Sequence, residues 1–321
     1  MSYESFPSSN QSLKNQRNVL VIVGATASGK TPVSLLIAKR INGEILSADS
    51  RQIYRMMDIG TAKPTSDELK SVRHYFIDEL LPDQNFNAGE FGKQGRQIID
   101  EIFSKGKIPL VVGGSGLYIR ALIDGFFDGP SADSSIREKL YQRLEVEGAE
   151  ILLEELRQID PVSASRMIPT NTRRIVRALE VFKTTGLPIS EMHKSKIDIN
   201  FNPVFVGLNW NRKKLYERIN KRVEIMMQSG LIDEAKRLLE KGYTSTLNAL
   251  QTVGYKEVFD HLNNKIDYNR MVELIKQNSR RYAKRQLTWF RHDERIRWFD
   301  IDDDKIFPEI ANKIINHFRV L

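Results

Sequence analysis

Short apolar runs alternate with helical patterns along the first part of the chain. The runs at 19–23, 44–48 and 108–112 are separated by segments with helical spacing, such as PVSLLIAKRI and SGLYIRALI. The runs are continuous and do not alternate with polar residues, which is typical of strands covered on both faces. Strands that alternate with helices favour a parallel sheet with helices on both sides. We predict that a further run at 204–210, VFVGLNW, is another strand of this sheet.

The pattern changes in the middle of the chain, where helical spacing continues without a convincing strand. In SSIREKLYQRLEVEG, apolar residues recur four positions apart. A helix in NTRRIVRALEVFKTTG is predicted to begin at a cap of Asn171 or Thr172 and to end at Gly186. Two later helices are predicted to stop at Gly230 and Gly242. The predicted organisation is a disordered tail at 1–17, the first part of an α/β core at 18–127, a helical insertion at 128–200, and the rest of the core with C-terminal helices at 201–321.

Composition narrows the class of protein without choosing a function. A length of 321 residues is enough for one large core with an insertion, and 40% hydrophobic residues suit a globular protein. No apolar run reaches the ~18 residues of a membrane span, and the polar start of the chain lacks the apolar segment of a signal peptide. We therefore expect a cytoplasmic protein. The absence of cysteine excludes disulfides, thiolate nucleophiles and cysteine-based zinc sites.

The net charge of +8 matters mainly for where it is concentrated. Eight basic residues lie between Lys276 and Arg297, against only two acidic residues, and aromatic residues are interleaved with them. Such a segment fits either a solvated helix face or a surface that binds nucleic acid.

A phosphate-binding loop (P-loop) is indicated directly after the first predicted strand. The segment GATASGKT matches G-x-x-x-x-G-K-[ST] and leads into a helical pattern, which is the context that the motif requires. Backbone N–H groups of such a loop converge on phosphate oxygens, the lysine adds a positive charge, and the final hydroxyl binds magnesium. The residues predicted to hold phosphate are Gly24, Ala25, Thr26, Ala27, Ser28, Gly29, Lys30 and Thr31, with Thr31 as the Mg²⁺ ligand. Taken alone, the loop is typical of ATP-binding NTPases and kinases.

An acidic residue stands at the end of the second predicted strand. P-loop NTPases commonly hold magnesium with an aspartate at a strand end, but the run IPLVVGG ends in glycines. Asp49 ends the run GEILSAD instead, at the sheet edge where open α/β proteins bind their ligands. Three roles remain open at this point: a ligand in the magnesium sphere, a general base, or the N-cap of a following helix, which is the commonest role of such an aspartate.

Several segments together resemble one family. GATASGKT, SADSRQIYRMMDIGTAKPT, LVVGGSGLYIRALIDG, TRRIVRALEVFKTTG, LQTVGYKE and AKRQLTWFR are similar, in this order, to the motifs of bacterial tRNA dimethylallyltransferases, also called tRNA isopentenyltransferases. The resemblance implies transfer of a dimethylallyl group from dimethylallyl diphosphate to N6 of the adenosine on the 3′ side of the anticodon. The tRNAs concerned read codons that start with U, and diphosphate is released. The P-loop would then hold an allylic diphosphate and Mg²⁺.

The resemblance also implies roles for individual residues. Asp49 would be the base that accepts the amine proton, Ser115 stands where the family usually has threonine, and Arg222 would help to hold the diphosphate. From sequence alone, a charge on a helix surface is the more common role for an arginine in such a position. The positions implied to contact the tRNA anticodon stem-loop are Asp49, Ser50, Arg51, Gln52, Ser115, Arg137, Arg173, Arg174, Ile175, Val176, Arg177, Gln251, Thr252, Val253, Gly254, Tyr255 and Lys256. A monomer is expected.

Three other functions share parts of this pattern. A small-molecule kinase would use the P-loop and the strand-end aspartate, but it gives no reason for the basic C-terminal segment. An adenylate isopentenyltransferase would carry out the same chemistry on free nucleotides, without needing the helical insertion. An RNA-binding ATPase would hydrolyse ATP when RNA binds. The P-loop NTPase-like core is common to all of them.

Overall fold

The computed structural model describes residues 17–125, 134–192 and 197–320. The predicted tail before Arg17 and the predicted boundary between residues 127 and 128 lie outside the described residues. Within those that are described, six strands form one sheet: β1 (Asn18–Gly24), β2 (Gly43–Ala48), β3 (His74–Tyr75), β4 (Ile108–Gly113), β5 (Asn202–Trp210) and β6 (Arg297–Ile301).

The sheet is parallel throughout, in the order β3-β2-β4-β1-β5-β6. The predicted parallel α/β core is confirmed. Every residue of the central strand β1 is buried, which explains why its sequence is a continuous apolar run. Two edge strands were not predicted. β3 has only two residues, and β6 lies in a charged segment where Arg297 and Asp300 are exposed.

Helices cover the sheet and make up the middle of the chain. Their bounds are α1 (Lys30–Ile41), α2 (Ser66–Ser71), α3 (Ala88–Ser104), α4 (Gly116–Ile123), α5 (Ser134–Glu147), α6 (Ala149–Ile159), α7 (Pro161–Ala164), α8 (Thr172–Thr185), α9 (Ile189–Met192), α10 (Arg212–Gln228), α11 (Leu231–Glu240), α12 (Tyr255–Leu262), α13 (Tyr268–Arg291) and α14 (Phe307–Val320). Across the described part of the chain, none of these helices is long and apolar enough to span a bilayer.

The chain divides into two compact units. The core unit comprises the chain up to Ile123 together with the chain from Ile199 onward, and the helical unit comprises 124–198. In the helical unit, α5, α6 and α8 pack around buried leucines. Helix α8 ends at Gly186 in a left-handed conformation (φ 73°), as predicted. Asn171 precedes α8, but its side chain accepts a hydrogen bond from the Ile168 N–H (3.1 Å) and does not cap the helix.

Because parallel strands all point the same way, the carboxyl ends of β1, β2 and β4 meet at one edge of the sheet. The loop from β1 to α1, the turn after β2 and the turn after β4 therefore lie together. This edge carries the residues described next.

Candidate active site

The P-loop is built around one glycine that no other residue can replace without strain. Gly29 is left-handed (φ 87°), and a Cβ at this position would overlap the ring of Phe307 from α14. The chain can thus turn sharply from β1 into α1, whose first N–H groups point out of the helix start. Lys30 is the first residue of α1, and its Nζ donates to the carbonyls of Gly24 (3.0 Å) and Ala25 (2.7 Å).

A buried hydroxyl in this loop has an unused hydrogen-bonding capacity. Ser28 is 1% exposed, and its Oγ has no hydrogen-bond partner within the described residues. Buried polar groups are normally paired, and an exception needs an explanation. A loop whose N–H groups and hydroxyl face a common space has the donors that an oxyanion requires.

The loop lines a cavity of about 550 Å³ in the core unit. Residues from distant parts of the chain face it: the P-loop, the turn after β2, helix α10 and helix α13 all contribute. Among the lining residues are Thr26, Lys30, Thr31, Asp49, Gln52, Arg218, Lys221, Arg222, Tyr282 and Gln286. The fold therefore brings Lys30, Thr31, Asp49 and Arg222 to one space.

Helix α10 supplies a basic wall to this cavity. The Nε of Arg218 donates to the Ala27 carbonyl (2.8 Å), and its guanidinium lies over the ring of Trp210, 4.3 Å from the ring centroid. One turn later, Arg222 Nη1 lies 3.4 Å from the Thr26 hydroxyl. The interpretation of Arg222 as a charge on a helix surface is therefore wrong, because its side chain lines the cavity and contacts the P-loop.

The concentration of positive charge changes the ionisation of its members. Burial, together with the nearby positive charge of Arg222, lowers the pKa of Lys30 to about 8, although the negative charge of Asp49 opposes the change. Burial likewise lowers the pKa of Arg222. Clustered cations with little access to water are stabilised by a polyanion, so the cavity suits a diphosphate.

Asp49 faces the cavity from the turn that follows β2. Its Oδ1 accepts a hydrogen bond from the Arg51 N–H (2.9 Å). The following residues form turns, and the next α-helix starts only at Ser66. The interpretation of Asp49 as a helix N-cap is therefore wrong, because no helix follows it directly. A local turn holds the carboxylate at the sheet edge.

The turn after β4 supports the Asp49 turn. The Ser115 N–H donates to the Ala48 carbonyl, and the Ser115 Oγ accepts from the Ser50 N–H, both at 3.1 Å. Tyr282 from α13 lies close enough to the Ser115 side chain to influence its own ionisation. Burial, reinforced by the negative charge of Asp49, raises the pKa of Tyr282, so its hydroxyl stays protonated and neutral.

A buried carboxylate shapes the loop made by DIGTAKP. Glu234 of α11 accepts hydrogen bonds from the N–H groups of Asp58 (2.9 Å), Ile59 (2.8 Å) and Gly60 (3.0 Å). Farther along this loop, carbonyls at 61 and 62 accept from Gln52 Nε2, both at 3.2 Å. Glu234 thus fixes the loop against which the Gln52 amide rests.

Residues implied to contact tRNA fall into two groups in the core unit. Ser50, Arg51 and Gln52 are half-buried beside Asp49, and Arg51 Nη1 donates to the Asn248 carbonyl (2.7 Å). The second group begins three residues later: Gln251 and Lys256 are exposed, Thr252 and Val253 are half-buried, and Gly254 and Tyr255 are buried.

Two positions of the second group require correction. Tyr255 has no exposed surface, and its hydroxyl donates to Glu234 (2.5 Å). Its ring fills the space beside Gly60, and Gly254 starts the same helix with a positive φ of 99°. Tyr255 is therefore a structural residue of the core, and neither position presents a side chain at the surface.

The helical unit carries the remaining candidate contacts. Arg173 and Arg174 are exposed at the start of α8, whereas Ile175 and Val176 are buried in the core of this unit. The predicted contact through Ile175 and Val176 is corrected for the same reason as that of Tyr255. Three side chains form one cluster: Glu180 Oε2 accepts from Arg137 Nη2 (2.9 Å) and from Arg177 Nη1 (3.1 Å).

Several cavity and supporting residues were not identified from sequence. Arg218 has a usable signal, because it lies four residues before Arg222 and so on the same face of α10. Gln286 and Glu234 have none. Each is one of many polar residues on an amphipathic helix, and its importance comes from partners far away in the chain.

Whether Mg²⁺ fits depends on the oxygen donors at the cavity. Within the described residues, no group of three or more His, Asp or Glu side chains is placed to hold a metal ion. The cavity offers the Thr31 hydroxyl and the Asp49 carboxylate. Mg²⁺ binds few protein oxygens and completes its shell with substrate phosphates and water. These residues therefore fit a magnesium ion that binds together with a diphosphate.

Comparison with known proteins identifies the family. The family model described as IPP transferase matches residues 52–293. The tRNA dimethylallyltransferase of Acetivibrio thermocellus is 45% identical over 302 residues, covering 91% of this chain and 96% of the relative. The crystal structure of the full-length tRNA isopentenylpyrophosphate transferase from Bacillus halodurans superposes with a TM-score of 0.70 at 41% identity, covering 95% of this chain and 98% of that one.

A more distant structure has a similar fold. It comes from crystallographic snapshots of a eukaryotic dimethylallyltransferase acting on tRNA, with a TM-score of 0.80 at 27% identity. The match covers 94% of this chain and 80% of that one. The extent of these matches, over nearly the whole chain, leads to one conclusion: the chain belongs to the IPP transferase family.

Proposed function

We propose that this protein transfers a dimethylallyl group from dimethylallyl diphosphate to N6 of the adenosine on the 3′ side of the anticodon, in tRNAs that read codons starting with U. The observation that carries the proposal is the placement of Asp49 and the P-loop on one cavity. A carboxylate and a diphosphate cradle are the two groups that such a transfer needs. The relatives named as tRNA dimethylallyltransferases support the same reaction.

The donor half of the reaction depends on stabilising a leaving group. When the allylic C–O bond breaks, negative charge gathers on the diphosphate oxygens. Lys30, Arg222 and the N–H groups at the start of α1 are the donors that face this charge. Bound at Thr31, Mg²⁺ would add positive charge to the same oxygens. No water needs activation, so a P-loop without a hydrolytic aspartate is consistent with this chemistry.

The acceptor half requires a base. The exocyclic amine of adenine is a weak nucleophile and loses a proton as its nitrogen bonds to the allylic carbon. We assign Asp49 as the group that takes this proton. Ser115 positions the Asp49 turn through the Ser50 N–H, which a hydroxyl can do without the methyl group of a threonine. The adenine must leave its stack to reach the cavity.

The tRNA would be held largely by basic side chains, which occur in both units. The positions that remain candidates after correction are Asp49, Ser50, Arg51, Gln52, Ser115, Arg137, Arg173, Arg174, Arg177, Gln251, Thr252, Val253 and Lys256, and phosphate contacts would dominate. The anticodon stem-loop is the part of the tRNA that presents the target base. We expect the protein to act as a monomer, and a tRNA substrate makes the cytoplasm the expected compartment.

One assay tests the reaction. The protein is incubated with Mg²⁺, unmodified tRNA, AMP and ATP, together with dimethylallyl diphosphate labelled in the allyl group. We expect the label in tRNA and no phosphate release from ATP. Label in AMP alone would indicate an adenylate isopentenyltransferase. Phosphate release that depends on RNA would indicate an ATPase, and either outcome would overturn the proposal.

The role of Asp49 is tested with two variants. Asp49→Ala removes the base, so the rate of transfer should fall about 10²- to 10⁴-fold, with tRNA affinity largely kept. Asp83→Ala removes an exposed carboxylate far from the cavity lining and serves as the matched control. Loss of tRNA binding in step with loss of transfer would show instead that Asp49 is a structural residue.

A further inference from the structure

We infer that Gln286 is a positioning residue that joins the phosphate loop to the turn after β4, and that its two hydrogen bonds set the distance between the two halves of the reaction. The inference rests on the function proposed above. Gln286 lies on helix α13, is 6% exposed and borders the cavity. It belongs to neither the phosphate-binding motif nor the Asp49 turn.

Both ends of the Gln286 amide are used. Its Oε1 accepts a hydrogen bond from the Thr26 N–H in the P-loop (2.8 Å). Its Nε2 donates to the carbonyl of Gly114 in the turn after β4 (3.0 Å). Only one orientation of the amide satisfies a donor on one side and an acceptor on the other. The side chain therefore bridges two segments that are 88 residues apart in sequence, from Thr26 to Gly114.

The glycines in this turn make room for the bridge. A Cβ at Gly114 would overlap the Nε2 atom of Gln286, and a Cβ at Gly113 would overlap the Ala48 carbonyl. The pair of glycines at the end of β4 thus allows β2, β4 and the Gln286 amide to approach closely. The two glycines of VVGG therefore do more than end a strand: they leave the space that the Ala48 carbonyl and the Gln286 amide occupy.

The same face of α13 reaches the acceptor half. Tyr282 lies one turn before Gln286, lines the cavity and is close to Ser115, whose Oγ accepts from the Ser50 N–H beside Asp49. On the donor side, Thr26 also contacts Arg222 through its hydroxyl (3.4 Å). One helix face therefore contacts both the segment that holds the diphosphate and the segment that holds the base.

Loss of the two Gln286 hydrogen bonds should change the placement of the two substrates more than the affinity for either. Transfer requires the reacting carbon and nitrogen to lie within about 3.5 Å of each other, and a shift of about 1 Å can lower a rate about 100-fold. Removing the bridge should let the P-loop and the turn after β4 move relative to each other. The diphosphate would keep Lys30 and Arg222, and tRNA would keep its surface contacts.

The test replaces Gln286 with methionine, which has a similar length but cannot form either hydrogen bond. For Gln286→Met we expect the single-turnover rate of transfer to fall about 10- to 100-fold, while the dissociation constants for tRNA and for dimethylallyl diphosphate change less than about threefold. Gln277→Met, on the same helix but away from the cavity lining, is the matched control and should behave as wild type.

A second measurement does not depend on activity. Amide hydrogen exchange at Thr26 should be faster in Gln286→Met than in wild type and unchanged in Gln277→Met, because the Thr26 N–H loses its acceptor. If wild type transfers no label to tRNA, the proposed function fails, and exchange at Thr26 still decides the role of Gln286. Unchanged transfer and unchanged exchange in Gln286→Met would overturn the inference.

Gln286→Glu provides a further check if the methionine variant does not fold. Glutamate keeps an acceptor for the Thr26 N–H but cannot donate to the Gly114 carbonyl. We expect slow exchange at Thr26 to be retained and the transfer rate to fall. A variant with wild-type transfer would show that the contact with Gly114 is not needed, and would overturn the bridge.

Discussion

Lys30 illustrates how one residue combines burial with a binding role. Its ammonium group lies beside Arg222 in the cavity, and its pKa falls to about 8 from 10.5, mainly through burial. A bound diphosphate favours the charged form. Affinity should therefore be constant below about pH 8, where Lys30 is already protonated, and should fall above it, because binding must then take up a proton.

The pH dependence of Lys30 can be measured by calorimetry. Between pH 8 and pH 10, the affinity for dimethylallyl diphosphate should fall by about tenfold per pH unit, with uptake of nearly one proton in buffers of different ionisation enthalpy. Lys30→Arg keeps its charge over this range and is the control, with a much flatter profile. Parallel profiles for the two proteins would assign the titration to another group.

Sequence could predict residues whose role follows from their position in an element. Lys30 and Thr31 belong to a local motif, and Asp49 ends a recognisable strand, so each is placed by a few neighbouring residues. Gln286 could not be found this way, because its partner Thr26 is 260 residues away. Glu234 is similar, since its carboxylate holds a loop 174 to 176 residues earlier. Such roles arise only from tertiary packing.

At the scale of elements, α5 and α8 are joined by one buried carboxylate. Glu180 is 1% exposed, and its Oε2 accepts hydrogen bonds from Arg137 on α5 and Arg177 on α8. Both arginines keep exposed surface, so the carboxylate fixes two cations at the surface of the helical unit. The other oxygen, Oε1, has no partner within the described residues.

Because Glu180 holds two arginines, its replacement by glutamine should weaken tRNA binding, whereas the change in charge alone would strengthen it. Glu180→Gln removes a negative charge, which by itself would strengthen binding to a polyanion. If Glu180 instead holds Arg137 and Arg177 in place, tRNA affinity should fall about three- to tenfold, because the charge-assisted hydrogen bonds that orient both arginines are weakened. Filter binding or fluorescence anisotropy with unmodified tRNA measures the change.

The control for Glu180 uses the same substitution at an exposed site. Glu145→Gln, on the outer face of α5, changes the net charge equally and should leave tRNA affinity unchanged or slightly higher. Thermal unfolding shows whether the helical unit stays folded in both variants. Tighter binding by Glu180→Gln would refute the positioning role.

Element boundaries also show where sequence is informative. The central strands β1, β2 and β4 were predicted because burial on both faces requires a continuous apolar run. The edge strand β6, RWFDI, was not, because Arg297 and Asp300 point to solvent and resemble a loop. Strand β3 is too short for any periodicity. Prediction therefore succeeded where packing imposes a pattern and failed at the edges of the sheet.

At the scale of the whole molecule, basic side chains that could contact RNA occur in both compact units. The core unit holds the complete cavity, with the P-loop, Asp49 and the basic wall of α10. The helical unit holds Arg173 and the cluster at Glu180. If both units contact one tRNA, each contact with a phosphate should contribute separately to the salt dependence of binding.

That separation can be tested with one basic residue from each unit. Arg173→Ala in the helical unit and Lys256→Ala in the core unit should each reduce the slope of log affinity against log salt concentration by about 0.7 to 0.9, and the double variant by the sum. The residues belong to separate units, so additivity is expected. Transfer at saturating tRNA should stay close to wild type, because neither residue lines the cavity.

An unchanged slope for Arg173→Ala would mean that the helical unit does not bind phosphate at this position. Recognition of the tRNA would then be left to the core unit and to the arginines held by Glu180.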